Sequence, residues 1–195
     1  MILLSAIQSF DEQLFYFINT GWGNSFFDAV LVPIRDREFW IPFYILIAFI
    51  ILYKYKFKGG WLILVCIASF AATDQLSSSV IKPAVGRLRP CNDAEIKNEV
   101  ILRVHACGAG KSFTSTHAAN TFGFAAMLTL LFAKRKRWIA WLAFVWAFAV
   151  SFAQIYVGLH YPSDILGGAL LGVLCSITIF ALAKWLLFQR IKLIL

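Results

Sequence analysis

The chain has 195 residues, 61% of them hydrophobic and only 14% charged, with a net charge of +8. Soluble domains are nearer half apolar, so this composition excludes an ordinary soluble domain and suits one membrane-embedded unit. Most basic residues stand in short loops between apolar runs, so the positive charge reads as membrane orientation and not as nucleic-acid binding.

The opening residues have no basic start, and Asp11 and Glu12 interrupt the apolar stretch too early for a cleaved signal peptide. Residues 5–20 place apolar and polar groups at helical spacing, as an amphipathic interfacial helix would. The next stretch, GWGNSFFDAVLVPI, is too broken by Gly, Asn and Asp to read as a span. Five apolar runs follow, at roughly 39–53, 60–80, 117–133, 138–154 and 165–188. Trp40, Trp61, Trp138 and Trp185 stand near their ends, as an aromatic belt requires. The expected fold is all-α: a polytopic membrane helical bundle of about five to six transmembrane helices plus an N-terminal interfacial helix. It forms one domain over 1–195, with an N-terminal interfacial segment 1–38 and an outer-face loop 81–116. There is no internal repeat.

Lys54, Lys56 and Lys58 lie between the first two runs, and Lys134, Arg135, Lys136 and Arg137 between the third and fourth. Arg190 and Lys192 close the tail. With alternating spans these share one side, which the positive-inside rule makes cytoplasmic. The 81–116 loop then faces outward although it is basic, so its cations need another use. Cys66 and Cys175 fall inside apolar runs and read as packing residues. Cys91 and Cys107 flank the outer loop. Two readings stay open for them: a disulfide on an oxidising face, or a metal site with His105 that lacks standard ligand spacing.

Three polar clusters interrupt the membrane pattern, all on the outer face. KPAVGRLRP (82–90) puts Lys82 and Arg89 seven apart, on one face if the segment is helical, with Arg87 between them. Guanidinium forks suit phosphate oxygens and an ammonium adds a point charge; alone, the cluster also reads as headgroup anchors. GKSFTSTHAAN (110–120) leads a hydroxyl-rich turn into the third run, where Ser115 and Thr116 can cap a helix beside His117. GLHYPSDILGG (158–168) sets His160 four residues before Asp164, which can orient the imidazole as a nucleophile or base. Two histidines, one carboxylate, hydroxyls and cations at headgroup depth form the set that phosphate chemistry needs. Asp74, near the end of the second run, either supports this site or hydrogen-bonds to a neighbouring span.

Together these motifs resemble the type 2 phosphatidic acid phosphatase superfamily, which shares its active site with vanadium haloperoxidases. The family pattern is Lys, six residues, Arg-Pro; then Pro-Ser-Gly-His; then Ser-Arg, five residues, His, three residues, Asp. Here the first element is complete. The second is TSTH, keeping Ser115 and His117 but with Thr114 and Thr116 for Pro and Gly. The third keeps His160 and Asp164 but has Ala153 and Gln154 for Ser and Arg. The resemblance implies that His160 is the nucleophile, oriented by Asp164, and that His117 is the general acid. Lys82, Arg89, Ser115 and the amide of Thr116 would hold the phosphate, with no metal and no cofactor. Gln154 cannot supply the charge of the family's arginine, although its amide can donate a hydrogen bond; Arg87 and Lys111 are candidate replacements. Thr116 in place of Gly raises the question of a special backbone angle at that turn.

The expected activity is metal-independent phosphate removal from a membrane lipid: undecaprenyl diphosphate, phosphatidylglycerophosphate, phosphatidic acid or lipid A. The expected location is the inner membrane, with the site on the periplasmic face. Two alternatives follow from the departures: transfer of phosphate to another lipid, or lipid-phosphate binding without turnover.

Overall fold

The computed structural model describes residues 2–134 and 136–186, with side-chain surroundings from residue 8 onward. Arg135, Arg190, Lys192 and the last residues of the fifth predicted run lie outside the described residues.

The described residues form eight α-helices: α1 (Ile2–Asn19), α2 (Ser25–Ile34), α3 (Ile41–Tyr55), α4 (Phe57–Gln75), α5 (Lys82–Val85), α6 (Thr116–Phe132), α7 (Arg137–Tyr156) and α8 (Pro162–Leu186). No strand occurs among the described residues. Glu38–Tyr55, Phe57–Val85, Arg137–Tyr156 and Pro162–Leu186 are long and apolar enough to cross a membrane. Their lipid-facing surfaces carry exposed Phe49, Leu64, Trp141, Phe148, Leu166 and Leu170. The α6 helix, 17 residues long, has no such surface to spare; Ala118, Ala119, Ala125, Ala126 and Met127 are buried between α4, α7 and α8.

The tightest contact is α6 against α8. A Cβ at Gly172 would collide with the Ala119 carbonyl oxygen, and one at Gly168 with the Ser115 carbonyl. Only glycine lets these two backbones approach so closely. Ser176 Oγ adds a hydrogen bond to the Gly123 carbonyl at 2.7 Å and meets Ser69 Oγ of α4 at 2.8 Å. The first turns of α6 and α8 are thereby held side by side.

The α4 helix continues through a π-helical stretch, Leu76–Ile81, into α5, which stops at Gly86 with φ 68°. Lys82 and Arg89 therefore do not share one helical face; Arg89 follows in extended chain. The α1 helix does more than skirt an interface. Asp11, Phe15, Ile18 and Asn19 are buried, and α1 packs on α7 and α8. Asn19 clasps the outer loop, donating to the carbonyls of Tyr156 and Ile101 and accepting from the Ile101 amide. The α2 helix is 10 residues long, about 15 Å. It cannot span a bilayer core of about 30 Å.

Candidate active site

His160 stands just before α8, 2% exposed. Its Nδ1 lies 3.5 Å from Oδ2 of Asp164 in the first turn of that helix. The same carboxylate oxygen accepts from the Tyr161 amide at 2.8 Å and from Ser112 Oγ at 2.5 Å. Ser112 Oγ is also 3.3 Å from Nδ1. A proton on Nδ1 facing Asp164 leaves the lone pair on Nε2, the arrangement of an imidazole nucleophile. Burial pushes the His160 pKa down to about 4; Asp164 opposes this, and Arg89 and Lys82 reinforce it. The ring is neutral at physiological pH, with its lone pair available.

Ser115 caps α6: its Oγ accepts from the Ala118 amide at 3.4 Å, and its own amide donates to the Asp164 carbonyl at 3.0 Å. That bond ties the second motif to the third. His117 follows in the first turn, within electrostatic reach of His160. The N-terminal end of α6 carries the partial positive charge that attracts anions. Thr116 does not have positive φ, so glycine's freedom is not needed there. Its hydroxyl instead meets Ser77 of the π-helical stretch at 2.9 Å.

The cations divide. Lys82 donates to the Lys111 carbonyl at 2.7 Å, and Arg89 to the carbonyls of Gly110 and Cys107 at 3.1 Å. Each keeps further N–H donors for an anion. Burial lowers the Arg89 pKa, with Asp164 opposing and Arg35 reinforcing. Cys91 and Cys107 form a disulfide with Cα atoms 5.9 Å apart, which fastens this rim and leaves neither thiol free as a metal ligand. Arg87 differs from both neighbours. It donates to Asp164 Oδ1 at 3.0 Å, Ser163 Oγ at 2.6 Å and Asp11 Oδ2 at 2.7 Å, and lies 3.9 Å over the Tyr161 ring. Asp164 and Asp11 outweigh burial and hold its pKa above the usual range. Arg87 is therefore not a free phosphate-binding cation; it buttresses the carboxylate. Arg103 is likewise spent, on Asp28 at 2.9 Å and on the Tyr156 ring. These pairs explain much of the outer loop's basic character.

Gln154 also departs from expectation. It is fully buried, and its amide donates to the Arg35 carbonyl at 3.1 Å, so it acts as a strut toward α2. Asp74 accepts from Asn120 of α6 at 3.1 Å, a bond between helices. Sequence reasoning missed Ser112 and Asp11. Ser112 lay inside the hydroxyl-rich turn, two residues after Gly110, but only the folded loop brings it to the carboxylate.

A helical membrane bundle with an oriented neutral histidine facing a cation-lined rim is the build of an integral membrane phosphatase. Comparison with known proteins agrees. The model of the PAP2 superfamily matches residues 59–188, and the chain belongs to that superfamily. It is 36% identical over 172 residues to the lipid A 4'-phosphatase of Bacteroides thetaiotaomicron, covering 87% of this chain and 75% of that protein. It is 26% identical over 190 residues to the lipid A 4'-phosphatase of Porphyromonas gingivalis, covering 94% and 79%. A PAP2-type phosphatidylglycerolphosphate phosphatase from Bacillus subtilis shares the fold, with a TM-score of 0.70 at 24% identity over 92% of this chain and 87% of that one.

Proposed function

We propose that the protein removes a phosphate from lipid A at the outer face of the inner membrane, through a phosphohistidine at His160. The observation that carries the chemistry is the Ser112–His160–Asp164 cluster, which holds a neutral imidazole by one nitrogen. His160 Nε2 attacks phosphorus and the ester P–O bond breaks. His117 gives its proton to the leaving sugar oxygen. Water then attacks the phosphohistidine, returning a proton to His117 and releasing inorganic phosphate. Lys82, Arg89, Ser115 and the amides opening α6 hold the phosphate oxygens and stabilise the charge of each transition state.

Two considerations support the substrate and side. Both relatives compared above are named for the lipid A 4'-position, and the chain covers most of each. Lys54 in the last turn of α3, Lys58 in the first of α4, and Lys136 and Arg137 at the start of α7 stand at the far ends of the helices that carry the site. We read that end as cytoplasmic and α6 as a fifth span.

The test is phosphate release by detergent-purified protein with chelator present. The panel is bis-phosphorylated lipid A, phosphatidylglycerophosphate, phosphatidic acid and undecaprenyl diphosphate, with mass spectrometry of the lipid products. Loss of the 4'-phosphate from lipid A, abolished in His160→Ala, is the expected result. Release from a glycerophospholipid or the prenyl diphosphate but not from lipid A would sink the substrate reading.

A further inference from the structure

The third motif lacks an arginine, yet the backbone of one, Arg35, is fastened to that position. Arg35 is the C-terminal cap of α2, and Gln154 of α7 donates to its carbonyl at 3.1 Å. Trp40 Nε1 fixes the preceding turn by donating to the Ile34 carbonyl at 2.7 Å. The end of α2 is thus fastened to α7 at residue 154. From there the Arg35 charge is felt at Arg89 of the first motif and at His117 of the second. Its only ion-pair partner among the described residues is Asp36 at 4.0 Å, half exposed. So loose and solvated a pair binds weakly. Two buried polar atoms at this junction have no hydrogen-bond partner: Nε of Arg35 and Oε1 of Gln154. Arg87, by contrast, has both terminal nitrogens engaged by carboxylates.

A partly buried guanidinium is costly without an anion, and a buried Nε–H without an acceptor is costly in itself. Arg35 carries both liabilities within electrostatic reach of His117 and Arg89. An incoming phosphate removes them, since guanidinium and phosphate match as fork to fork.

We propose that Arg35 is a substrate-binding residue: its guanidinium, delivered from α2 and seated on Gln154, grips a non-bridging phosphate oxygen where the superfamily uses the arginine of the third motif. This rests on the phosphatase reading above. The missing charge is then relocated to another helix, not lost, and Gln154 serves as its mount.

The test compares wild type, Arg35→Gln, Arg35→Lys and Arg37→Gln, the last being a nearby cation outside the site. Orthovanadate binding is measured by calorimetry, which requires no turnover, and kcat and KM are measured on lipid A. Arg35→Gln is expected to weaken orthovanadate by about 10- to 100-fold, the range for one charge-assisted contact. Arg35→Lys recovers part of that loss, and Arg37→Gln stays within about twofold of wild type, well below the effect of one such contact. Thermal unfolding in detergent checks the fold. Arg35→Met, which keeps the aliphatic stem, replaces the Gln variant if that one unfolds. Wild-type affinity for orthovanadate in a folded Arg35 variant overturns the proposal. Failure of wild type itself to bind orthovanadate or release phosphate overturns the phosphatase reading, and this proposal with it.

Discussion

Lys82 and Arg89 are held by backbone carbonyls, whereas Arg87, between them in sequence, is held by carboxylates. The first two lean on backbone carbonyls of the 107–111 loop and retain donors for an anion. Arg87 is locked between Asp11 and Asp164, both almost fully buried. A carbonyl holds a cation without cancelling its charge, whereas a carboxylate cancels it. The same residue type thus stays available to an anion in one place and serves as a brace in the other, and the partner decides which.

The largest effect is expected from removing the histidine itself. His160→Ala should lower kcat by more than about 10⁴-fold, as expected for a nucleophile, with the thermal unfolding of the wild type. Arg89→Ala should cost roughly 10²–10³-fold in kcat/KM, the effect of losing one donor to transition-state charge, with little change in stability. Arg87→Gln should show the reverse pattern. It strands Asp11 and Asp164, so thermal unfolding should report a loss of about 2–3 kcal/mol, below the roughly 3–5 of a fully buried pair because Arg87 is partly exposed. Turnover should fall only about tenfold, through a misoriented His160.

Reducing the Cys91–Cys107 disulfide tests the rim more gently. The 107–111 loop holds Lys82 and Arg89, so loosening it should raise KM roughly threefold by lost preorganisation, with helix content unchanged by circular dichroism. The smallest effect is on pH. The His160 pKa falls from 6.5 to about 4 on folding, so below 6.5 the unfolded chain takes up a proton that the native site refuses. Its contribution to stability is therefore full above pH 6.5 and is lost as pH falls toward 4. His160→Gln should flatten that part of the stability profile.

Much of this arrangement was legible in the sequence because membrane helices must satisfy their backbone internally and advertise themselves as apolar runs. The five predicted runs correspond to α3, α4, α6, α7 and α8. His160, Asp164, Ser115 and His117 meet because their motifs open α8 and α6, which the glycines at 168 and 172 bring into contact. Arg87 was misread because spacing cannot report a partner 76 residues away, such as Asp11. Lys82 and Arg89 reach one rim for a different reason than the one inferred: not helical phase, but a chain turned at Gly86 and fastened by carbonyls and a disulfide. Arg35 and Gln154 were invisible as a pair, since their contact joins residues 119 apart in a stretch that read as interfacial.

The π-helical stretch at Leu76–Ile81 has a consequence for how this chain is compared with others. Each residue in an α-helix advances the side chains by about 100°, so a wide turn acts as a local delay in that rotation. Through this delay Thr73 of α4 and Ser77 of the wide stretch face the bundle interior while Lys82, little more than one turn after Ser77, comes round to the rim. The distance from the membrane-buried half of α4 to the first motif is therefore a matter of angle as well as length. A relative one residue shorter in this stretch could keep every residue of the motif and still aim its lysine at lipid.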